Sequence, residues 1–123
     1  MEKEKTILII EDEPLLSSMY KERFKMAGFR VLTAMEAESG FNIAEKEHPD
    51  IVLLDILLPK ESGISFLKRI KQDESLKMIP VVAFSNYDNP QVKKEALDLG
   101  AKDYLIKTSY TPQEIIEKVK SYL

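Results

Sequence analysis

The 123-residue sequence contains no cysteine and no tryptophan, and it has a single histidine. Without cysteine there is no disulfide, no thiol nucleophile and no thiolate metal site. One histidine excludes a multi-histidine zinc site. No apolar run is long enough to cross a bilayer, and no signal-peptide pattern follows Met1. We therefore expect a cytoplasmic protein with no membrane partner.

The sequence also has no excess of positive charge. It contains 18 Lys and Arg residues and 21 Asp and Glu residues, which gives a formal net charge of −3. This balance argues against direct nucleic-acid binding. Hydrophobic residues make up 44% of the chain and charged residues 32%, as in ordinary globular proteins. The length suits one domain, so we predict a single domain over residues 1–123.

Five short apolar runs alternate with longer stretches that have helical spacing. The first run, Thr6–Ile10, and the third, Ile51–Leu54, show no apolar–polar alternation. This is typical of strands buried on both faces of a parallel sheet. Helix starts are indicated by Pro14, Asn89-Pro90 and the capping box Thr111-Pro112-Gln113-Glu114. The predicted strands are Thr6–Ile10, Arg30–Ala34, Ile51–Leu54, Ile79–Phe84 and Asp103–Ile106.

Strands that alternate with helices imply right-handed βαβ crossovers and a parallel sheet covered on both faces. A closed barrel would need about eight such units and roughly twice the length. We therefore predict an α/β fold with a doubly wound five-stranded parallel sheet, strand order 2-1-3-4-5 and five helices. This is the flavodoxin-like arrangement.

Polar residues follow four of the five predicted strands. Glu11 and Asp12 follow the first, Asp55 the third, Ser85 the fourth and Lys107 the fifth. In the order 2-1-3-4-5, strands one and three flank the switch point, where doubly wound sheets bind ligands. We therefore expect these side chains to converge on one crevice.

Crowded carboxylates repel each other, and a bound hard cation relieves the repulsion. Magnesium suits such a site because it accepts a few carboxylate oxygens and shares a substrate phosphate. One carboxylate can then attack phosphorus and form an aspartyl phosphate. Lys107 would neutralise charge on the transferred group, and the Ser85 hydroxyl would bind one of its oxygens.

With these motifs the chain resembles a response-regulator receiver domain of two-component signalling, over nearly its whole length. Five elements occur in the order and spacing of that family. The matching segments are Ile10-Glu11-Asp12-Glu13-Pro14, Leu53-Leu54-Asp55-Ile56-Leu57-Leu58-Pro59, Gly63, Phe84-Ser85 and Gly100-Ala101-Lys102-Asp103-Tyr104-Leu105-Ile106-Lys107.

The resemblance implies a role for each acid. Asp55 would accept a phosphoryl group from a histidine kinase or a histidine phosphotransfer protein. Asp12 would bind Mg²⁺ directly, Glu11 would help through water, and the backbone carbonyl of Leu57 would complete the protein's ligands. The resemblance thus implies a signalling protein that catalyses its own phosphorylation and dephosphorylation, rather than a metabolic enzyme.

The resemblance also implies a switch. Lys107 would pair with the acceptor, Ser85 would sense the phosphoryl group, and Tyr104 would move inward as Ser85 is drawn to the phosphate. That motion would remodel the surface of helix 4, strand 5 and helix 5 toward a downstream protein target. A phosphorylation-dependent homodimer is left open, and half-buried packing is an equally good interpretation of Tyr104.

Departures from the family pattern lead to further expectations. Thr108 stands where the family usually has proline after a cis bond, and a cis bond before a non-proline residue costs about 3–4 kcal/mol, so we predict a trans Lys107–Thr108 bond. Leu57 and Tyr87 stand at positions that flank the site and influence hydrolysis in the family, and neither side chain can activate water, which predicts slow self-dephosphorylation. Lys68, Arg69 and Lys71 are expected to form a solvated helix face.

Other functions remain open at this stage. The chief alternative is a receiver-like binding module that acts without phosphorylation. A phosphatase or phosphotransferase with an aspartyl intermediate is weaker, because such enzymes commonly carry a second acid two residues after the nucleophile, where this chain has Leu57. The sequence fits a stand-alone regulator or a part of a longer protein equally well.

Overall fold

A computed structural model of the chain describes residues 4–123. Strands and α-helices alternate along it, with one 3₁₀ turn before the last helix. The elements are β1 (Thr6–Ile10), α1 (Pro14–Met26), β2 (Arg30–Ala34), α2 (Ala37–Glu47), β3 (Ile51–Asp55), α3 (Gly63–Gln72), β4 (Val81–Ser85), α4 (Pro90–Asp98), β5 (Asp103–Ile106), a 3₁₀ turn (Lys107–Ser109) and α5 (Pro112–Lys120).

The sheet has the order β2-β1-β3-β4-β5, and every neighbouring pair is parallel. The predicted fold class, strand order and helix number are therefore confirmed. β3 and β4 are buried along their whole length, as expected for central strands covered on both faces. β2 is partly exposed and forms one edge of the sheet.

Alternate strand residues supply two separate cores, because successive side chains of a strand point to opposite faces. Leu8 and Leu54 belong to the core that packs against α2, α3 and α4. Ile7 and Leu53 belong to the core that packs against α1 and α5. The unbroken apolar runs of β1 and β3 are the sequence signature of this two-sided burial.

Side-chain caps fix the helix starts close to the sheet edge. Glu13 accepts a hydrogen bond from the backbone N–H of Leu16 (2.8 Å) and so caps α1. The capping box of α5 is present as predicted, with Thr111 and Glu114 bonded reciprocally. Such caps satisfy N–H groups that have no partner within the helix.

Three strand boundaries differ from the prediction. β4 begins at Val81 rather than Ile79, because the N–H of Ile79 donates to Leu76 in a turn (3.0 Å) and Pro80 has no N–H to give to the sheet. β3 and β4 each continue one residue further, to Asp55 and Ser85. Asp55 and Ser85 are thus the last residues of their strands.

Two expectations about the backbone can be checked over residues 4–123. No cis peptide bond occurs in this part of the chain, so the Lys107–Thr108 bond is trans as predicted. None of the helices described is both long and apolar enough to span a membrane.

Candidate functional site

The carboxyl ends of four strands enclose a crevice of about 260 Å³. Its position follows from the strand order, since β1 and β3 are neighbours and their connections leave the sheet in opposite directions. The six residues predicted to form the acceptor and metal site all line it. The complete lining is Glu11, Asp12, Glu13, Leu16, Asp55, Leu57, Ser85, Asn86 and Lys107.

Lys107 joins the two most buried acids of the crevice. Its Nζ donates to Glu11 Oε1 at 2.5 Å and to Asp55 Oδ2 at 3.2 Å. The side chains of Lys107, Glu11 and Asp55 are only 10%, 1% and 6% exposed. The ammonium also lies 4.6 Å from the centre of the Phe84 ring. It therefore compensates two carboxylates that burial would otherwise penalise heavily.

Backbone N–H groups orient the other oxygens of these acids. Glu11 Oε2 accepts from the N–H of Glu13 at 3.1 Å. Asp55 Oδ1 accepts from the N–H of Leu57, also at 3.1 Å. Each carboxylate is thus held by the lysine on one side and by the segment that follows its own strand on the other.

Burial, with a smaller effect of Glu11, raises the pKa values of two groups near the site. Burial raises the pKa of Asp12 above its ordinary value, and the hydrogen bond with Glu11 and that group's charge add to the effect, against the opposing charge of Lys107. Burial, together with the charge of Glu11, raises the pKa of Tyr20 to about 12. Nothing in the sequence pattern links Tyr20 to the site, because that link depends on tertiary packing.

Three carboxylates could hold a cation. One ligand oxygen each from Glu11, Asp12 and Asp55 lies within 4.8 Å of the others. All these donors are hard oxygens, with no nitrogen or sulfur among them, so the set fits Mg²⁺ and does not fit zinc. Leu57 is part of the same crevice lining.

Ser85 and Tyr104 are linked through the backbone of Tyr87. Ser85 Oγ accepts from the N–H of Tyr87 at 3.0 Å, and the carbonyl of Tyr87 accepts from the Tyr104 hydroxyl at 2.6 Å. Tyr104 is 4% exposed and belongs to the α2–α4 core, and burial raises the pKa of its hydroxyl. Tyr104 therefore points inward and contacts the Ser85 loop without lining the crevice.

One predicted surface is wrong in part. Lys68 is exposed as expected, but Arg69 forms ion pairs with Glu38 and Glu61. Lys71 is half-buried and donates to two backbone carbonyls, and burial lowers its pKa. These side chains turn toward neighbouring segments because α3 packs beside α2 and the α3–β4 connection, which a helix pattern alone does not reveal.

The sheet is doubly wound, and acids, a serine and a lysine lie at its switch point. These features define the class of the protein: a flavodoxin-like α/β domain with an acidic site at the carboxyl ends of its strands. The chain belongs to the response regulator receiver domain family, whose model matches residues 7–120. This finding confirms the resemblance inferred from the motifs.

Curated relatives of two kinds match. The chain is 34% identical over 119 residues to the phosphate regulon transcriptional regulatory protein PhoB of Pseudomonas aeruginosa, covering 97% of this chain and 52% of that protein. It is 30% identical over 119 residues to the polar-differentiation response regulator DivK of Brucella ovis, covering 97% and 96%. The chain thus spans about half the length of the transcriptional regulators and nearly all of DivK.

Solved structures agree with the fold. A CheY-like response regulator receiver domain protein from Methanospirillum hungatei has a TM-score of 0.91 at 25% identity, covering 98% of this chain and 94% of that one. The chemotaxis protein CheY4 of Vibrio cholerae also has a TM-score of 0.91 at 22% identity, covering 98% and 100%. The latter likeness concerns the fold alone.

Proposed function

We propose that the protein accepts a phosphoryl group on Asp55 in a reaction that depends on Mg²⁺. The observation that carries this proposal is the contact between Lys107 and Asp55, in a crevice that also contains Ser85 and two further acids. A structural aspartate at a strand end would not need a buried lysine, a hydroxyl and two more carboxylates beside it.

The residues would share the work of phosphoryl transfer. Glu11, Asp12, Asp55 and the Leu57 carbonyl would hold the metal, which when bound supplies positive charge next to the phosphoryl oxygens. A carboxylate oxygen of Asp55 attacks phosphorus, a P–O bond forms, and the bond from phosphorus to the donor nitrogen breaks. The Lys107 ammonium neutralises charge that develops on the transferred group.

Ser85 is well suited to bind the phosphoryl group. Its oxygen accepts from the Tyr87 N–H, which leaves the hydroxyl proton free to donate. If Ser85 moves to bind a phosphoryl oxygen, it would pull the backbone at Tyr87, which also accepts the hydrogen bond of Tyr104. The proposed switch therefore runs from Ser85 through Tyr87 to the surface of α4, β5 and α5.

The proposed phosphoryl donor is another protein, because the histidine of this chain is remote from Asp55. The single histidine, His48, is exposed at the end of α2, just before β3 begins, whereas Asp55 ends β3. His48 therefore lies at the amino ends of the strands and Asp55 at their carboxyl ends. We therefore propose a histidine kinase or a histidine phosphotransfer protein as the donor, and a cytoplasmic location for the exchange.

The output would be a change in protein contacts. Relatives named as transcriptional regulators and DivK, a response regulator covered almost end to end, represent two ways of using such a domain. For this chain we propose a downstream protein target on the α4–β5–α5 face. A homodimer that forms on phosphorylation is part of the same proposal.

Intact-mass spectrometry tests the acceptor directly. The protein is incubated with acetyl phosphate with and without Mg²⁺, beside Asp55→Asn and the control Asp50→Asn, an exposed acid just before β3. We expect one added phosphoryl group in the wild type and in the control, and none in Asp55→Asn or with EDTA. No addition in the wild type, together with no Mg²⁺ binding, would favour the phosphorylation-independent binding module.

A further inference from the structure

The segment between β3 and α3, residues 56–62, carries Leu57 and is fixed at its base by the backbone. The N–H of Gly63 donates to the carbonyl of Ile56 at 2.9 Å, and the N–H of Leu57 donates to Asp55 Oδ1. A Cβ atom on Gly63 would lie 2.4 Å from the Asp55 carbonyl oxygen. The start of α3 is therefore pressed against the acceptor's own backbone.

The far end of the segment is held by the side chain of Glu61. Glu61 Oε1 accepts from Arg69 Nη1 at 2.8 Å, and Oε2 accepts from the Ser65 hydroxyl at 2.9 Å. Both carboxylate oxygens thus bind to α3. The neighbouring Lys60 has a φ of +65°, a conformation that a side-chain-bearing residue keeps only when its surroundings hold it.

Arg69 is itself fixed from two directions. Its Nη1 also contacts Glu38 Oε2 of α2 at 3.2 Å, and its guanidinium carbon lies 4.2 Å from the centre of the Phe41 ring. Phe41 packs edge-on against Phe66 of the core, with ring centres 6.4 Å apart. The planar guanidinium can stack on an aromatic ring and bind carboxylates at its edge at the same time.

We propose that Arg69, acting through Glu61, is a positioning residue for the acceptor site. By tying residues 56–62 to α2 and α3, it keeps the Leu57 N–H on Asp55 and the Leu57 carbonyl where the metal would bind. Arg69 does not line the crevice, so it touches neither the metal nor the phosphoryl group. The inference rests on the proposed function, since it assigns Arg69 a role in that same site.

The test uses variants that separate charge, shape and location. Arg69→Met keeps the apolar stem and loses the donors, Arg69→Lys keeps the charge without the planar fork, and Glu61→Gln keeps the shape. The control is Arg30→Met, which breaks an Arg30–Glu47 pair of 2.7 Å near the opposite edge of the sheet. We measure Mg²⁺ affinity by calorimetry, amide hydrogen exchange of residues 56–62 in metal-free protein, and thermal stability.

We expect Arg69→Met and Glu61→Gln to weaken Mg²⁺ binding by about 10-fold, at the lower end of the range seen when groups that orient metal ligands are removed. Exchange of the 56–62 amides should speed up by a similar factor, Arg69→Lys should fall between, and Arg30→Met should match the wild type. A partial recovery of Mg²⁺ affinity in Arg69→Lys is informative. If Arg69 only stabilised the fold, the affinity would not depend on the geometry of its N–H donors.

Unchanged Mg²⁺ affinity and unchanged exchange in Arg69→Met and Glu61→Gln, with or without a fall in melting temperature, would overturn the proposal and leave Arg69 a packing residue only. Wild-type protein that fails to bind Mg²⁺ would overturn the proposed function instead. In that case the exchange of residues 56–62, measured without metal, still decides whether Arg69 holds the segment.

Discussion

Replacing Lys107 with methionine removes the ammonium group that contacts both Glu11 and Asp55 while keeping much of the side chain's volume. At an effective dielectric constant of about 20, contacts of 2.5 and 3.2 Å correspond to a gross attraction of about 5–7 kcal/mol each. Much of this attraction offsets the cost of burying the charges of Lys107, Glu11 and Asp55. Breaking a buried pair leaves a net loss of about 3–5 kcal/mol, because the remaining charge has no partner.

Urea denaturation followed by circular dichroism measures this loss. At neutral pH without Mg²⁺, we expect Lys107→Met to lower the free energy of unfolding by about 3–5 kcal/mol. The deficit should shrink with excess Mg²⁺, which supplies positive charge to the same oxygens.

The matched control is Lys94→Met, since Lys94 pairs with Asp98 at 2.8 Å but the two side chains are 77% and 64% exposed. We expect no measurable change for this surface pair. If Lys107→Met were as stable as the control variant at neutral pH without Mg²⁺, the reasoning about buried compensation would be refuted.

Three further predictions concern packing, pH and phosphoryl lifetime. Gly63→Ala should destabilise the fold by about 1–3 kcal/mol in urea denaturation, because the new methyl group meets the Asp55 backbone at 2.4 Å. The pKa of Tyr20 is about 12 in the folded state against an ordinary 10, so the wild type loses stability as pH rises from 10 to 12, and Tyr20→Phe should lose less over that range. Leu57→Asn, which gives water a hydrogen-bonding partner at the crevice, should shorten the phosphoryl lifetime by at least about threefold in a mass-spectrometric time course.

Each of these has its own contrary result. For Gly63 the comparison is Gly40→Ala, whose methyl group meets only the Ile10 side chain at 2.6 Å, and an equal loss in both variants would contradict the backbone argument. Tyr20→Phe and wild type with parallel stability curves between pH 10 and 12 would mean that Tyr20 titrates normally. A wild-type lifetime no longer than that of a free acyl phosphate would count against shielding by Leu57.

Local patterns in the sequence determined the architecture and the membership of the site. Unbroken apolar runs predict strands covered on both faces, caps such as Thr111 mark helix starts, and five strand–helix units are too few for a closed barrel. Because strand ends in a parallel sheet share one edge, the polar residues that follow the strands were bound to meet. The resemblance to receiver domains then suggested the chemistry of Asp55.

Only the tertiary structure decided which of these residues touch. Lys107 contacts Glu11 and Asp55 across 96 and 52 residues of chain, and Arg69 reaches Glu38 across 31. A helix pattern gives the face on which a side chain lies but not the element packed against that face, which is why Arg69 was predicted to be solvated. Local propensity and periodicity fix short-range structure, whereas ion pairs and burial depend on distances that exist only after the sheet and helices have packed together.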